Sequence, residues 1–127
     1  MVLFNYLIGN CDAHGKNFSI IYKADGSLEL SPAYDVLCTR VYDGLDPNMA
    51  MKIGQTRVLN KVKKKDFEIF ASQLGINRSY VEAILTRQIK TIPAALLQIA
   101  GEAHADISTE ILTCVENNCE HAAKELI

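Results

Sequence analysis

The sequence predicts a mainly α-helical domain with one small β-hairpin near its N-terminal end. From Lys63 onward, apolar residues recur at the three- and four-residue spacing of amphipathic helices. Before that point, two short apolar runs flank the pair Asp25-Gly26, which is a strong hairpin signal. With 127 residues, 49% of them hydrophobic, the chain is long enough for one hydrophobic core and too short for two. Residues 1–127 are therefore expected to form one domain.

The N-terminal half is predicted to hold a short helix, the hairpin and an irregular segment. Val2 to Ile8 is interpreted as the end of a buried helix. Phe18 to Tyr22 and Leu28 to Leu30 are the predicted strands of the hairpin. Residues 38–62 are predicted to be irregular because glycine and proline interrupt them, apart from a short extended piece at Met49 to Ile53.

The C-terminal half is predicted to contain four helices. The first starts after Lys63 and stops at Gly75, since glycine is common just past a helix end. Asn77 is the predicted N-cap of the second, which Pro93 breaks or restarts. The third runs from Ala94 to His104. The apolar stripes of the first two helices are Phe67, Phe70, Ala71 and Leu74, followed by Tyr80, Val81, Ile84, Leu85 and Ile89.

The fourth helix is predicted to be capped by Asp106 or Ser108. Its apolar stripe consists of Ile111, Leu112, Val115, Cys119, Ala122 and Leu126.

Composition narrows the classes of function. The net charge of −2 gives no strong field for nucleic acid or an anionic membrane, and no apolar run is long enough to cross a bilayer. The apolar N-terminus lacks the basic residues and cleavage site of a signal peptide. Four scattered cysteines without a CxxC pair are expected to be reduced thiols. These features together predict a cytoplasmic protein.

Two other kinds of site can be considered, a nucleic-acid-binding surface and a zinc site, and an ordinary structural interpretation is favoured for each. A local basic cluster could contact nucleic-acid phosphates, but a lysine run without aromatic partners is more typical of a solvated loop and helix start. The cluster consists of Arg57, Lys61, Lys63, Lys64 and Lys65. A zinc site could be imagined from Cys114, Cys119 and His121 with His104, but the spacing fits no standard finger, and buried thiols are the favoured interpretation.

The segment from Gly9 to Asn17 carries the most informative pattern. Asp12 is followed five residues later by Asn17, and a second acid, Asp35, comes after the hairpin. This pattern is typical of the phosphoryl-transfer site of protein kinases. One carboxylate accepts the proton of the attacking hydroxyl, while an amide oxygen and a second carboxylate bind Mg²⁺. Because the hairpin strands run out and return, Asn17 and Asp35 are expected to lie close together.

Each of these residues also has an ordinary structural interpretation. Asp and Asn are common in turns and helix caps, so Asp12, Asn17 or Asp35 alone would more often be a cap than a catalytic group. His14 alone would more often form a hydrogen bond within a loop. Lys16 is a candidate to neutralise phosphate charge. The spacing and the hairpin favour the functional interpretation because the structural one does not require all three polar residues together.

The wider string resembles the C-terminal kinase region of the HipA-type toxin kinases. The resemblance is dense over residues 3–37, in the run from Phe4 to Ser19 (FNYLIGNCDAHGKNFS) and the run from Leu30 to Leu37 (LSPAYDVL). It continues loosely through Ala50 to Gly54 and through Asp66 to Ile76. The resemblance implies a helical protein-kinase-like C-lobe with a small β-hairpin after the catalytic loop.

The resemblance also implies roles for individual residues. Asp12 corresponds to the catalytic Asp, and Asn17 and Asp35 correspond to the ligands of Mg²⁺ bound with ATP. His14 and Lys16 match loop positions that support contacts to substrate or phosphate. The family phosphorylates serine or threonine, its known kind of target is an aminoacyl-tRNA synthetase, and its members pair with a DNA-binding antitoxin.

The sequence departs from an intact kinase in one important respect. No Gly-rich phosphate loop lies upstream of Asp12, and no strand lysine can be assigned to the ATP phosphates. We therefore expect this chain to hold half of an ATP site, to depend on a missing N-lobe supplied in cis or in trans, and to be inactive alone. The alternatives are a non-catalytic, kinase-derived binding or regulatory module and a helical nucleic-acid-binding domain.

Overall fold

The computed structural model describes residues 1–100 and 105–126 of the chain. Four α-helices, three short 3₁₀ turns and two antiparallel β-hairpins form the regular structure of these residues, which confirms a mainly helical fold. The helices are α1 (Val2–Leu7), α2 (Lys64–Gln73), α3 (Arg78–Ala100) and α4 (Ala105–Leu126). The strands are β1 (Ile20–Tyr22), β2 (Leu28–Leu30), β3 (Asn48–Ile53) and β4 (Thr56–Val58).

The first hairpin forms where the sequence predicts it. Ile20 pairs with Leu30 and Tyr22 pairs with Leu28, so β1 begins two residues later than expected. The turn is closed by a carboxylate oxygen of Asp25, which accepts hydrogen bonds from the backbone N–H and the hydroxyl of Ser27. All six strand residues are exposed, so the hairpin projects from the core.

The second hairpin is only half predicted. The expected extended piece is β3, but its partner β4 lies in a segment predicted to be irregular. Only three residues form β4, and its identity as a strand depends on pairing that a local pattern does not reveal. The backbone N–H of Ala50 in β3 donates to the carbonyl of Cys11 at 2.7 Å, so this hairpin supports the loop that follows α1.

The helix that was expected to break at Pro93 is continuous. α3 runs through this proline to Ala100, so the prediction of two separate helices is wrong for the described residues. Ile92 on this helix is buried in the core, and packing against α4 offsets the backbone hydrogen bond that proline cannot donate. The predicted cap is present, since the backbone N–H of Ser79 donates to the side-chain oxygen of Asn77 at 3.1 Å.

The stripes of α2 and α4 face the core largely as predicted. Phe67, Phe70 and Ala71 are buried, whereas Leu74 at the end of α2 is exposed. Val115, Cys119 and Ala122 of α4 are also buried. Tyr80 is exposed, so its inclusion in the stripe of α3 is wrong. The predicted caps Asp106 and Ser108 lie within α4, and His104 lies outside the described residues.

The core surrounds α1 and joins both ends of the chain. Tyr6 packs edge-on against Phe67 with 5.9 Å between the ring centroids. The buried amide of Asn118 on α4 donates to the carbonyl of Leu7 at 3.1 Å. Helix α1 is therefore held on several sides, and the loop that leaves its C-terminal end starts from a fixed point. None of the helices in the described ranges is long and apolar enough to cross a membrane.

Candidate functional site

The loop that follows α1 is organised by a buried asparagine. The side-chain N–H groups of Asn10 donate to the side-chain oxygen of Asn5 and to the backbone carbonyl of Asp35, both at 3.2 Å. Its side-chain oxygen accepts from the backbone N–H of Asp12, also at 3.2 Å. One side chain thus joins α1, the Asp12 loop and the segment around Asp35.

The structure brings Asn17 and Asp35 into direct contact. The amide nitrogen of Asn17 donates a hydrogen bond to a carboxylate oxygen of Asp35, across 18 positions of sequence. Asn17 ends a short 3₁₀ turn at Gly15–Asn17, and its side-chain oxygen accepts from the backbone N–H of His14 at 3.0 Å. Asn17 is buried, whereas Asp35 is exposed, so the pair presents its carboxylate to solvent.

Asp35 occupies an unusual backbone conformation. Its φ of 55° makes it the one non-glycine residue with a positive φ in the described parts of the chain. Aspartate tolerates the left-handed region better than most residues, but the conformation still costs free energy and persists where surrounding contacts impose it. Here the amide of Asn10 holds the Asp35 carbonyl, so the conformation that points Asp35 toward Asn17 is fixed from the core side.

Tyr34 fixes the same segment from the hairpin side. Its hydroxyl donates to the carbonyl of Lys16 at 2.8 Å and lies 2.7 Å from the hydroxyl oxygen of Ser19. The residue before Asp35 is therefore tied to the residue before Asn17. Sequence reasoning missed this role because a tyrosine in a loop gives no spacing signal for a bond to a backbone carbonyl.

Thr39 makes a further link that the sequence does not reveal. Its hydroxyl accepts from the backbone N–H of Cys11 at 2.8 Å and donates to the carbonyl of Gly9 at 3.2 Å. Both partners lie at least 28 positions away in the chain. The segment after Asp35 is thus attached to the start of the Asp12 loop.

The remaining predicted site residues lie at or near the surface, and none of them is in direct contact with the Asp35 carboxylate among the hydrogen bonds of the described residues. Asp12 is exposed and lines a surface depression with Thr39, Asp46 and Arg57. Its connection to Asp35 runs through Asn10. His14 is half-buried and Lys16 is exposed.

The donor chemistry of the pair fits a hard cation that also binds phosphate. Asp35 offers carboxylate oxygens, the ligand type that Mg²⁺ prefers, whereas Asn17 turns its amide nitrogen toward Asp35 and its amide oxygen toward the N–H of His14. Asn17 would bind the same cation through its oxygen only if its amide group turned over. Within the described ranges, no group of three or more His, Cys, Asp and Glu side chains is arranged to hold a metal ion. Mg²⁺ commonly takes one or two protein ligands and completes its shell with water and substrate phosphates. An open site of this kind would hold such a cation only together with water or a bound ligand.

The imagined zinc site does not form among the described residues. A ring nitrogen of His121 forms a hydrogen bond with the carbonyl of Val62 at 2.8 Å, and Cys119 is buried in the core. His104 lies outside the described residues. Burial also raises the pKa of Cys119 to about 11, which disfavours the thiolate that zinc requires.

The basic cluster is spread over three elements. Arg57 lies on β4, Lys61 on the turn after it, and the last three lysines at or just before the start of α2. Arg57, Lys61, Lys63 and Lys65 are exposed. This arrangement agrees with a solvated loop and helix start.

The fold and the site together define a helical domain that presents a carboxylate–amide pair beside a projecting hairpin. The profile of the HipA-like C-terminal domain family matches residues 1–96. The chain belongs to this family.

Two full-length proteins and one solved structure support this assignment. The Sinorhizobium fredii protein Y4mE is 36% identical over 97 residues, which cover 76% of this chain and 23% of Y4mE. The Shewanella oneidensis serine/threonine-protein kinase toxin HipA is 34% identical over 97 residues, covering 76% of this chain and 22% of that protein. The chain thus spans less than a quarter of the length of these relatives.

A solved structure matches nearly the whole fold. It is a chain in the complex of the Shewanella oneidensis toxin–antitoxin system, which contains HipA, HipB and operator DNA. The match has a TM-score of 0.90 at 28% identity and covers 98% of this chain and 30% of the other.

Proposed function

We propose that this chain supplies the catalytic and metal-binding half of a HipA-like serine/threonine kinase site. In this proposal it forms the helical C-lobe, Asp12 accepts the proton of the attacking hydroxyl, and Asn17 and Asp35 bind Mg²⁺. The contact between Asn17 and Asp35 is the observation that carries the proposal, because an ordinary turn or cap does not require it. The proposal is also supported by the family to which the chain belongs, since one of its relatives is a serine/threonine-protein kinase toxin.

The hydrogen bonds that position the proposed site residues suit phosphoryl transfer. Phosphoryl transfer depends mainly on positioning and on electrostatic stabilisation of the transferred group. Asn10 and Tyr34 hold the two proposed ligands from opposite sides, while Asp12 remains exposed to a substrate. Mg²⁺, when bound, would neutralise charge that develops on the phosphates of ATP.

His14 and Lys16 complete the proposed nucleotide side of the site. Lys16 is exposed on the turn that ends in Asn17, and in this proposal its ammonium group neutralises phosphate charge. The backbone N–H of His14 supports Asn17, and Nδ1 of its half-buried ring is buried without a hydrogen-bond partner among the described residues. A kinase also clamps ATP from an N-lobe, and we propose that a separate segment, in cis or in trans, supplies it.

Two partners follow from the same proposal. The structural relative was solved as a complex of HipA with HipB and operator DNA, which supports a DNA-binding antitoxin as a partner. The proposed substrate is a protein serine or threonine, with an aminoacyl-tRNA synthetase as the first candidate.

The metal half of the proposal can be tested on this chain alone. Mn²⁺ can replace Mg²⁺ and is paramagnetic, so a nucleotide-bound Mn²⁺ should broaden the amide resonances around Asn17 and Asp35 in NMR spectra. Asp35→Asn should abolish this selective broadening because it removes the anionic ligand, whereas Asp43→Asn, at an exposed carboxylate in another loop, should not. Broadening that persists in Asp35→Asn, or that centres elsewhere, would refute the metal assignment.

The catalytic half requires the rest of the kinase. With the N-lobe supplied, Asp12→Asn should nearly abolish phosphorylation and leave Mg²⁺-dependent nucleotide binding intact, whereas Asp35→Asn should weaken that binding. The chain alone should show no robust transfer from ATP to protein. If both variants merely unfold at lower temperature and still transfer phosphate, the residues are structural caps, worth ~1 kcal/mol each.

A further inference from the structure

Two of the four cysteines meet beside Gly9, at the start of the loop that carries Asp12. Cys38 lies three residues after Asp35, and Cys114 lies on α4. A β-carbon placed on Gly9 would lie 3.0 Å from the sulfur of Cys114 and 3.3 Å from that of Cys38. Both sulfurs therefore crowd over one glycine, and Gly9, with a φ of 74°, leaves the space that they fill.

The two thiols have complementary chemistry. The proximity of the two thiols lowers the pKa of Cys114 and raises that of Cys38. The guanidinium of Arg40 and the amide of Asn118 lower the pKa of Cys114 further. A cysteine whose thiolate is stabilised in this way is the more reactive member of a pair.

The two cysteines also differ in access. Cys114 is half-buried and lines an open surface depression with Arg40, Glu110 and Asn117. Cys38 is 8% exposed and lies behind it. A small oxidant can therefore reach Cys114 from solvent, while Cys38 is positioned to attack it from the protein side.

We propose that Cys114 and Cys38 form an oxidisable pair, in which a hydroperoxide oxidises Cys114 and Cys38 then closes an intramolecular disulfide. In the first step the Cys114 thiolate attacks the peroxide oxygen, the O–O bond breaks, and a sulfenic acid and hydroxide are formed. In the second, the Cys38 sulfur attacks the Cys114 sulfur and displaces hydroxide, which takes the Cys38 proton as water. Two thiols are oxidised to one disulfide, and one hydrogen peroxide is reduced to two water molecules.

The disulfide would fix the segment that carries Asp35. The residues after Cys38 are already attached to the Asp12 loop, because the backbone N–H of Arg40 donates to Gly9 and Thr39 bonds to Gly9 and Cys11. A covalent bond from Cys38 to α4 would add a second anchor three residues from Asp35. The pairing itself does not depend on the proposed kinase function.

The neighbouring Cys11 supplies an internal comparison. It lies near Cys114, but burial raises its pKa and its thiol donates to the carbonyl of Pro47 at 3.3 Å. This bond keeps the Cys11 thiol protonated and hydrogen-bonded. We therefore expect Cys38, rather than Cys11, to form the disulfide with Cys114.

Peptide mapping tests the proposal on the complete 127-residue chain. The folded protein is treated with dilute hydrogen peroxide, denatured, alkylated and digested, and cross-linked peptides are identified by mass spectrometry. The expected product is a reductant-sensitive link between Cys38 and Cys114 within one chain. Cys38→Ser should lose the link and leave Cys114 as a sulfenic acid that dimedone captures, whereas Cys114→Ser should lose both signals.

Cys119→Ser is the matched control, because that cysteine lies on the same helix but is buried in the core. It should retain the link between Cys38 and Cys114. A native-like circular dichroism spectrum before oxidation establishes that each variant is folded. If a variant is not folded, the peptide map of the oxidised wild-type protein decides the test. The proposal is overturned by a wild-type link from Cys11 or Cys119, by a link only between chains, or by four unmodified thiols after peroxide has oxidised the methionines.

Discussion

Asn10 connects the two carboxylates of the proposed site. It is buried, and its side chain bonds to the backbone of Asp12 and of Asp35. A buried amide that satisfies several backbone groups is costly to remove because its partners are then left without a bond. Its place between two exposed acids makes Asn10 a positioning residue rather than a metal ligand.

Replacing Asn10 should therefore have two separable effects. Asn10→Ala should lower the free energy of unfolding by about 1–3 kcal/mol, as expected when a buried hydrogen-bonding group is lost. It should also weaken Mn²⁺ binding at Asp35, because the Asp35 carbonyl loses the amide that holds it. Chemical denaturation and the paramagnetic NMR titration measure the two effects.

Asn118→Ala provides the control for this prediction. Asn118 is equally buried and also donates to a backbone carbonyl, that of Leu7, but it contacts neither acid. It should cost a comparable amount of stability and leave metal binding unchanged. Equal loss of metal binding in both variants would mean that Asn10 acts only through stability.

The residues that the sequence reveals are those whose chemistry depends on spacing. The interval from Asp12 to Asn17 and the hairpin before Asp35 are visible in the chain, and the closeness of Asn17 and Asp35 follows from them. Asn10, Tyr34 and Thr39 act through bonds to backbone groups that are distant in sequence. Side-chain type and spacing do not encode such bonds, so these residues emerge only from the folded structure.

At the level of elements, local signals succeed where the element is amphipathic or capped. Helix α2, its end before Gly75 and the cap at Asn77 follow from periodicity and capping chemistry. Local signals fail at β4 and at Pro93, where tertiary contacts determine the secondary structure. A three-residue strand exists because β3 pairs with it, and α3 continues through Pro93 because Ile92 is packed into the core.

The turn between β3 and β4 requires glycine for steric reasons. Gly54 has a φ of 60°, and a β-carbon there would lie 2.5 Å from the carbonyl oxygen of Asp66 and 2.6 Å from its α-carbon. These are backbone atoms in the first turn of α2, so they cannot rotate away. The side chain of Asp66 also accepts from the backbone N–H of Gln55 at 3.0 Å, which fixes the turn against the helix.

Gly54→Ala should therefore destabilise the fold far more than a turn substitution usually does. We expect a loss of about 3 kcal/mol, from the strain of a positive φ and from forced separation of the turn and α2. Gly26→Ala is the control, because Gly26 has a φ of 81° but nothing within 4 Å of a β-carbon. It should cost about 1 kcal/mol. Urea denaturation would contradict the steric argument if the two losses were equal.

Over the whole molecule, burial makes the core sensitive to alkaline pH. Burial, with a smaller contribution from Glu116, raises the pKa of Cys119 from 9.0 to about 11. Burial also raises the pKa of Tyr6, and the charges of Glu125 and Cys119 add to the shift. Both groups are neutral in the folded core, so the unfolded chain releases their protons first as pH rises.

Stability should consequently fall as the pH rises from about 9 to about 11. The contribution of Cys119 is fully present below its unfolded pKa of 9.0 and is lost as the pH passes its folded pKa of about 11. We expect a loss of about 2 kcal/mol from this group, measured by urea denaturation across that range. Cys119→Ala should be less stable at pH 7 but should lose less stability in the alkaline range.

Val115→Ala separates the titration from the loss of packing. Val115 is fully buried one turn earlier on α4 and has no ionisable group. Its replacement should lower stability by a similar amount at every pH and keep the wild-type slope. A flattened slope in this variant would show that alkaline unfolding does not report on Cys119.

The bond between Asn118 and Leu7 joins residues 111 positions apart, and it has a consequence for synthesis on the ribosome. Helix α1 has only six residues and is too short to be stable in isolation. Its packing partners include Val115 and Ala122, which are translated near the end of this segment. The loop with Asp12 starts from α1, so it has no fixed base until α4 has left the exit tunnel. Within this segment, we therefore expect α1 and the Asp12 loop to be among the last parts to reach their native conformation.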